Sequence, residues 1–401
     1  MNCFWQGADN DAPSASATEY NFITASALAA WSATESTRTL PVSEAITITK
    51  LTVYFDTAPG SGNAYSFTIR DDGADTAASV TLADGATSAT WTGGVAVAAL
   101  SMIDMSATPA GTPAAIGTQY WTVEYETAGD HYLLPAGTGT QASNAAASYM
   151  WPIGGASQLL ASDPTAYGIV APTDVTVTKL VAAFDVAPGS GTSYDVSFSH
   201  NGPNDYLITT IANGTTIASA TDVIPVAPGD LMGIRLAPSA SPAAVRLKTC
   251  LTIVPSEPGE IMSGFSAPQS PSDSMTTYQQ PIGTGGLTWD ATESLRQLRV
   301  SECTLKKFYV VTTSPGSGRS RTQHLRVNGA NTGLSVVIAD TAFAGNDAST
   351  TYELADGDLV SVSSVPSGTP NATSGMKFSY VMQRSQALPA SSSTAFLPFF
   401  H

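Results

Sequence analysis

Apolar and polar residues alternate along much of the chain with the two-residue period of β-strands. Isoleucine alternates with threonine in residues 46–49, and valine alternates with threonine in residues 175–178. After each segment the phase slips by one residue, so that Leu51 and Leu180 carry the next apolar positions. A slip of one residue turns the buried face of a strand outward unless a bulge or a corner absorbs it. The pattern therefore predicts β-strands that are bulged at the slip.

A lysine occupies the slip in three copies of this pattern, at Lys50, Lys179 and Lys307. These are three of the six lysines in the chain, and Lys306 is adjacent to one of them. Lysine on an edge strand discourages pairing with a second sheet. We therefore expect these lysines to protect the edges of sheets.

Several markers return three times at a nearly constant spacing. One is a Pro-Gly-Ser-Gly loop that begins at Pro59, Pro188 and Pro315, which are 129 and 127 residues apart. An Asp-Gly or Asn-Gly pair follows each loop, and two prolines four residues apart come near the end of each copy. Three markers on one period indicate three tandem copies of a unit of roughly 128 residues.

Each copy predicts a set of short strands joined by tight turns. Asp-Gly and Asn-Gly between alternating segments are typical of two-residue hairpins, in which both central residues need a positive φ. No long segment has the 3.6-residue period of a helix. The sequence thus predicts an all-β chain of three tandem jelly-roll or β-sandwich units of about 128 residues. Composition places the units at 1–146, 147–260 and 261–401, with the second shortened in its N-terminal part.

Charged residues make up only 12% of the chain, about half the usual share, and acidic residues outnumber basic ones 32 to 16. A surface that binds phosphate groups needs clustered lysine and arginine, so the composition argues against a nucleic-acid-binding protein. The excess negative charge lies in residues 1–260, whereas residues 261–401 carry nine basic and nine acidic side chains. The last unit is therefore the neutral one.

Residue types that carry chemistry are scattered along the chain. None of the four histidines has a partner at metal-ligating spacing, and no Gly-x-Ser-x-Gly motif joins a strand to a helix. The three cysteines are far apart and predict buried thiols rather than disulfides or a zinc site. Carboxylates crowd at Asp71, Asp72 and Asp75, but asparagine replaces Asp72 in the other copies, which favours a turn over a calcium site. We expect no enzyme activity, no metal and no cofactor.

Two features of the last unit are candidates for a contact with a partner. The first is a cluster of arginines on the strand that runs into the third Asn-Gly turn: Arg319, Arg321 and Arg326. This cluster forms either a solvated strand face or a contact with an acidic partner surface. The second is an aromatic segment behind a Ser-rich spacer at the C-terminus: Phe396, Phe399 and Phe400. An exposed apolar segment promotes aggregation, so it should pack on its own unit or insert into a neighbouring chain.

The start of the chain lacks the basic and apolar regions of a secretory signal, and no apolar run of about 18 residues occurs. We therefore expect a soluble protein with no membrane span. A role outside the cell would need a route other than a cleaved signal peptide.

The order of turn motifs resembles that of the small jelly-roll modules in virion proteins of tailed phages, which are similar in outline to trimeric tumour-necrosis-factor-like jelly rolls. The matching segments of the third unit are residues 315–318, 328–330, 357–359 and 366–370. The first unit departs at the Gly-Asp-Leu site, where Leu100-Ser101 stands. The resemblance implies a virion surface protein, such as a head-decoration, head-fibre or tail-fibre protein, assembled in the host cytoplasm.

We favour a non-enzymatic capsid-decorating protein that acts by assembly, with a receptor- or carbohydrate-binding fibre module as the alternative. Its partners would be other virion proteins and, for the alternative, cell-surface glycans, but neither nucleic acid nor a membrane. Trimerisation of identical chains is the favoured arrangement, and a rod or an internal pseudo-trimer made by the three units of one chain stays open. The neutral last unit is the expected attachment end, because an acidic particle surface would repel the other two.

Overall fold

The computed structural model of the chain describes residues 1–24, 30–142, 144–157, 160–161, 168–267, 270–282, 288–372 and 375–384. These residues form 29 β-strands and two short 3-10 helices, Glu35–Thr37 and Glu293–Arg296. Neither helix in this part of the chain is long and apolar enough to cross a membrane. The strands fall into three successive pairs of sheets, one pair for each repeat.

The first unit contains nine strands: β1 (Asn2–Asp9), β2 (Glu19–Asn21), β3 (Leu40–Pro41), β4 (Ile46–Phe55), β5 (Gly60–Asp71), β6 (Ala74–Asp84), β7 (Ser88–Val97), β8 (Met102–Ala110) and β9 (Gln119–Thr127). One sheet has the order β1-β9-β4-β7. The other has the order β2-β8-β5-β6, with β3 also paired to β8.

The second unit contains eleven strands: β10 (Tyr132–Thr138), β11 (Ser148–Met150), β12 (Gly154–Ser157), β13 (Leu160–Ala161), β14 (Ile169–Val170), β15 (Val175–Phe184), β16 (Ser193–His200), β17 (Asn204–Ala212), β18 (Ile217–Val226), β19 (Leu231–Ser239) and β20 (Leu247–Pro255). Its sheets have the orders β12-β10-β20-β15-β18 and β13-β11-β19-β16-β17. Strand β14 pairs with β19.

The third unit contains nine strands: β21 (Glu260–Ala267), β22 (Thr277–Gln279), β23 (Leu298–Arg299), β24 (Cys303–Val311), β25 (Gly316–Val327), β26 (Ala330–Asp340), β27 (Ala344–Leu354), β28 (Leu359–Ser367) and β29 (Met376–Gln383). Its sheets have the orders β21-β29-β24-β27 and β22-β28-β25-β26, and β23 pairs with β28.

All three units share the strand order of a jelly roll. With eight principal strands numbered along each unit, one sheet has the order 1-8-3-6 and the other the order 2-7-4-5. Apolar side chains from both sheets fill the space between them, and the largest wholly buried ones include Trp121, Trp151 and Phe198. The predicted all-β fold of three tandem jelly-roll units is confirmed.

The strand pairing places the first junction earlier than the expected boundary near 147. Strand β10 pairs with β20, with Tyr132 opposite Ile253, so it belongs to the second unit. The junction is the short connection between Thr127 and Tyr132, and the second unit is not shortened at its start. The expected boundary is wrong because it rests on a change in composition that comes only after β10. The actual boundary depends on the pairing of the first strand of each unit with the last strand of the same unit, which lies more than 100 residues away. The second junction lies between Pro255 and Glu260, beside the expected boundary at 261.

The predicted bulges and hairpin turns are present. In β4 of the first unit the register shifts between Ile48 and Lys50. In the equivalent strand of the second unit, β15, it shifts between Val177 and Lys179. The same shift occurs after Lys306 in the third unit. Both central residues of the three repeated turns have positive φ: Asp72-Gly73, Asn201-Gly202 and Asn328-Gly329. The three cysteines are buried free thiols, as predicted.

The three units form a closed ring within one chain. Strand β3 of the first unit packs against β10, β15 and β20 of the second. Strand β14 of the second unit packs in the same way against β21, β24 and β29 of the third, and β23 of the third packs against β1 and β9 of the first. Each unit thus uses the same strand to contact the next, and the third returns to the first. The three units of the chain therefore form the internal pseudo-trimer, which is one of the arrangements that the sequence left open. The rod, the other arrangement within one chain, is wrong.

Candidate interaction sites

The lysines at the bulges connect neighbouring units. The contacts are Lys50 Nζ to Asp356 Oδ2 at 2.5 Å, Lys179 Nζ to Glu44 Oε1 at 3.3 Å and Lys307 Nζ to Thr173 Oγ1 at 3.0 Å. Each contact spans a different seam of the ring. The expectation that these lysines protect sheet edges is wrong, because β4, β15 and β24 are interior strands with neighbours on both sides. The bulge instead directs a long cationic side chain towards the adjacent unit.

Aromatic stacking strengthens the seam between the third and first units. The guanidinium group of Arg299 lies 4.7 Å from the centre of the Tyr54 ring and 5.9 Å from that of Tyr120. Arg384 Nη1 also contacts Glu124 Oε2 at 2.8 Å. Arg299 and Arg384 belong to the last unit and their partners to the first, so these contacts close the ring. A planar guanidinium stacks well on an aromatic face.

Buried polar groups hold the seam between the first and second units. Lys248 is 2% exposed, and its Nζ donates hydrogen bonds to the carbonyl oxygen of Ser36 at 2.6 Å and to Thr39 Oγ1 at 2.7 Å. Burial lowers the pKa of Lys248 to about 8. The hydroxyl groups of Ser43 and Thr252 meet at 2.8 Å across the same seam. Nothing in the local sequence marks Lys248 as an inter-unit group, since its partners lie more than 200 residues away.

The first strands of the three units meet near the middle of the ring. Trp5 Nε1 of β1 donates a hydrogen bond to the carbonyl oxygen of Leu133 in β10 at 3.0 Å. A cavity of only about 20 Å³ is lined by side chains of all three units, among them Trp5, Leu134 and Met262. Apolar packing therefore occupies the middle of the ring and leaves little room for a ligand.

Two arginines of the predicted partner cluster are used inside the third unit. Arg321 is fully buried, and its Nη1 donates a hydrogen bond to the carbonyl oxygen of Ser272 at 2.6 Å. Burial lowers the pKa of Arg321. Arg326 Nε pairs with Glu293 Oε1 at 2.8 Å, and its guanidinium group lies over the ring of Tyr278. Neither side chain is available to a partner.

The Arg326–Glu293 pair is a repeated structural element. In the first unit Arg70 Nε pairs with Glu35 Oε1 at 2.6 Å in the same way. The second unit has Ser199 at the arginine position and lacks the Trp-x-Ala-Thr-Glu-Ser segment that supplies the glutamate. Both residues are present in the first and third units and both are absent from the second, and this joint occurrence was the sequence signal for the internal pair.

Arg319 is the member of the cluster that stays exposed. It lies at the Pro-Gly-Ser-Gly loop, where its Nη1 donates a hydrogen bond to Asn371 Oδ1 at 2.7 Å. Phe396, Phe399 and Phe400 lie outside the described residues. Within the described ranges, no group of three or more His, Cys, Asp or Glu side chains is arranged to hold a metal ion.

Comparisons with known proteins give weak likenesses. No protein-family model and no curated protein matches the chain. Among solved structures, a chain of Sulfolobus turreted icosahedral virus is similar at 10% identity over 85% of this chain and 79% of that one, with a TM-score of 0.20. The VP2 subviral particle of infectious bursal disease virus matches at 8% identity over 96% and 81%, with a TM-score of 0.18.

A tandem CBM22 domain of Xyn10C from Paenibacillus barcinonensis matches at 14% identity over 54% of this chain and 80% of that one, with a TM-score of 0.17. Likenesses at such scores carry no argument about function. The jelly-roll assignment rests on the strand order of the chain itself.

Proposed function

We propose that the chain is a non-enzymatic structural protein of a virus particle surface, and more narrowly a capsid-decorating protein of a tailed phage, assembled in the host cytoplasm. The observation that carries the proposal is the closed ring of three jelly rolls. The ring gives a single chain a threefold arrangement of jelly rolls. The phage modules that the sequence resembles would reach the same arrangement by trimerisation. Three similar faces around one axis fit a partner surface with threefold or near-threefold symmetry.

The way in which the chain uses its polar side chains supports a structural role. Lys50, Lys179 and Lys307 connect units, and the buried ammonium group of Lys248 does the same. An enzyme of this size would be expected to place a nucleophile, a base and an orienting group together in a cleft. Among the buried charged groups, Glu124 and Lys248 contact a neighbouring unit instead, and Arg321 holds a loop of its own unit.

The third unit is the proposed attachment end. Residues 261–401 are neutral, whereas residues 1–260 carry all of the net charge of -16. An acidic particle surface would repel the first two units, and charge complementarity influences both the rate and the specificity of docking. The exposed Arg319 and the aromatic C-terminal segment belong to this neutral unit.

The test is the presence of the chain on particles released by cells that carry its gene. We expect mass spectrometry of gradient-purified particles to find the chain together with the capsid protein. Arg319→Glu, and separately deletion of residues 391–401, should each lower incorporation at least about threefold, with unchanged thermal unfolding. Ser61→Glu is the matched control, because Ser61 is exposed in the same loop of the first unit.

Two outcomes contradict the proposal. Absence of the chain from purified particles would exclude the virion role. Normal incorporation of both third-unit variants, together with loss of incorporation in Ser61→Glu, would place the attachment at the acidic end.

A receptor- or carbohydrate-binding fibre module is the second candidate function. The observation that favours it is an open cleft of about 410 Å³ between the first and second units.

A further inference from the structure

The three seams differ where a left-handed turn of one unit faces the next unit. This turn precedes the seventh principal strand, and its residue with positive φ is Leu100, Gly229 or Gly357, with φ of 72°, 92° and 86°. A Cβ added to Gly229 would lie 2.7 Å from the hydroxyl oxygen of Tyr309, and one added to Gly357 would lie 3.3 Å from that of Tyr54. At these two seams, therefore, a tyrosine of the next unit covers the turn.

The described residues that line the cleft at Leu100 include no such tyrosine. In β15, Ala183 pairs with Lys248, and in the equivalent strand β4, Tyr54 pairs with Tyr120. Ala183 and Tyr54 both lie four residues after the bulge lysine of their strand, so Ala183 occupies the position of Tyr54. Val181 occupies the position of Tyr309 by the same comparison. With both rings missing, a cleft of about 410 Å³ lies between the turn at Leu100 and the face of the second unit.

The charged groups that line the cleft have partners within the chain. Three carboxylates line it: Glu35, Asp72 and Asp185. Arg70 pairs with Glu35 at 2.6 Å and Arg246 pairs with Asp185 at 2.9 Å, while Lys248 adds one positive charge to the lining. Glu35 and Asp185 thus each have a cationic partner, and Asp72 accepts hydrogen bonds from Met102 N at 2.9 Å and Ser101 Oγ at 3.3 Å, so all three lining carboxylates have partners within the chain.

Its surface combines hydrogen-bonding groups with apolar ones. The hydroxyl-bearing residues Ser36, Thr39 and Thr216 line one part, and Leu100 and Ile217 line another. Two of the three N–H donors of Lys248 are used by Ser36 and Thr39 among the described residues. A cleft of this size, with apolar walls and a few polar groups, is typical of small-molecule sites.

We propose that this cleft binds a neutral saccharide. A sugar offers hydroxyl groups to the polar lining and a C–H face to Leu100 and Ile217, and it requires no compensating charge. This proposal deepens the second candidate function and rests on it. It does not depend on the virion role, because the cleft lies in the first two units and the proposed attachment lies in the third.

The test restores the missing tyrosine. We expect ligand-observed NMR with the full chain to detect binding of at least one of glucose, galactose, mannose and N-acetylglucosamine, with a Kd on the order of 1 mM. Ala183→Tyr should weaken that binding at least about tenfold. Val311→Tyr is the matched control, because Val311 holds the same position in the third unit, and it should bind the sugar like wild type.

Thr216→Trp fills the cleft from its exposed rim and serves as a second variant if Ala183→Tyr does not fold. N-acetylneuraminate and glucosamine are the charged probes, and we expect both to bind more weakly than the neutral sugar. Absence of binding by all four neutral sugars, unchanged binding in the folded cleft-filling variant, or tighter binding of a charged probe would overturn the proposal. Particle incorporation of Ala183→Tyr should equal that of wild type, so the two proposals can fail separately.

Discussion

Asp104 is a buried carboxyl group that has no counterpart in the third unit. Ser361 holds the equivalent position there, and its hydroxyl group donates a hydrogen bond to Glu293 Oε1 at 2.7 Å. In the first unit a second carboxyl group stands near Glu35 instead. Burial first, and then the charge of Glu35, raise the pKa of Asp104 to about 8, although Arg70 acts in the opposite direction. The difference between the copies thus places a pH-sensitive carboxyl group at this buried position of the first unit.

We expect Asp104→Asn to be more stable than wild type at pH 8 and to lose much of that advantage at pH 5. A carboxyl group with a raised pKa keeps its proton in the folded chain while the unfolded chain releases it, so wild-type stability falls between about pH 4 and pH 8. The gain at pH 8 should be about 2–4 kcal/mol, measured by urea unfolding. Asp130→Asn, at an exposed position, is the control. An advantage that does not change with pH would contradict this explanation.

Among the elements, the turn before the seventh principal strand keeps one conformation with different residues. Gly229 and Gly357 adopt positive φ without a steric penalty, whereas Leu100 adopts the same left-handed conformation with a side chain. Leu100 is 43% exposed, so its packing compensates little for this strain. The first unit lacks the Gly-Asp-Leu motif of the other two units, but it forms the same turn with Leu100.

We expect Leu100→Gly to raise the free energy of unfolding by about 1 kcal/mol, because it relieves the left-handed strain. Gly357→Ala should lower it by at least about 1 kcal/mol, because it introduces that strain beside the hydroxyl group of Tyr54. Urea unfolding of both variants provides the measurement. A loss of stability in Leu100→Gly would show that its side chain contributes more to the seam than its exposure indicates.

In the whole molecule, the ring uses the faces that a trimer of identical chains would need. Strands β3, β14 and β23 each pack on the first sheet of the next unit, and the salt bridges and hydrogen bonds of the three lysines accompany them. Divergence of the copies allows each seam to differ, as the stacked Arg299 and the cleft beside Ala183 demonstrate. A homotrimer would repeat one seam three times.

We expect the purified chain to be a single molecule in solution, with a mass near 41.2 kDa by light scattering. The reason is that the third unit already occupies the face of the first unit that another chain would otherwise cover. A mass about three times larger, independent of protein concentration, would favour the homotrimer that the sequence resemblance suggests.

The repeat, the alternation and the turn residues determined the strands, their bulges and the jelly-roll class. These features are local, since an Asn-Gly pair or a slip at Lys179 acts on the few residues around it. The buried cysteines also followed from the apolar segments around them. The sequence pattern could therefore predict the fold of each unit.

Only the tertiary structure decided where each unit begins and how the units meet. The pairing of Tyr132 with Ile253, the seam contacts of Lys248 and the burial of Arg321 all join residues that lie far apart in sequence. Such contacts depend on which surfaces pack together, and no local period records that choice. The cleft beside Ala183 is a further example, because an alanine in a buried strand becomes informative only when the tyrosine at its equivalent position is seen to cover a neighbouring turn.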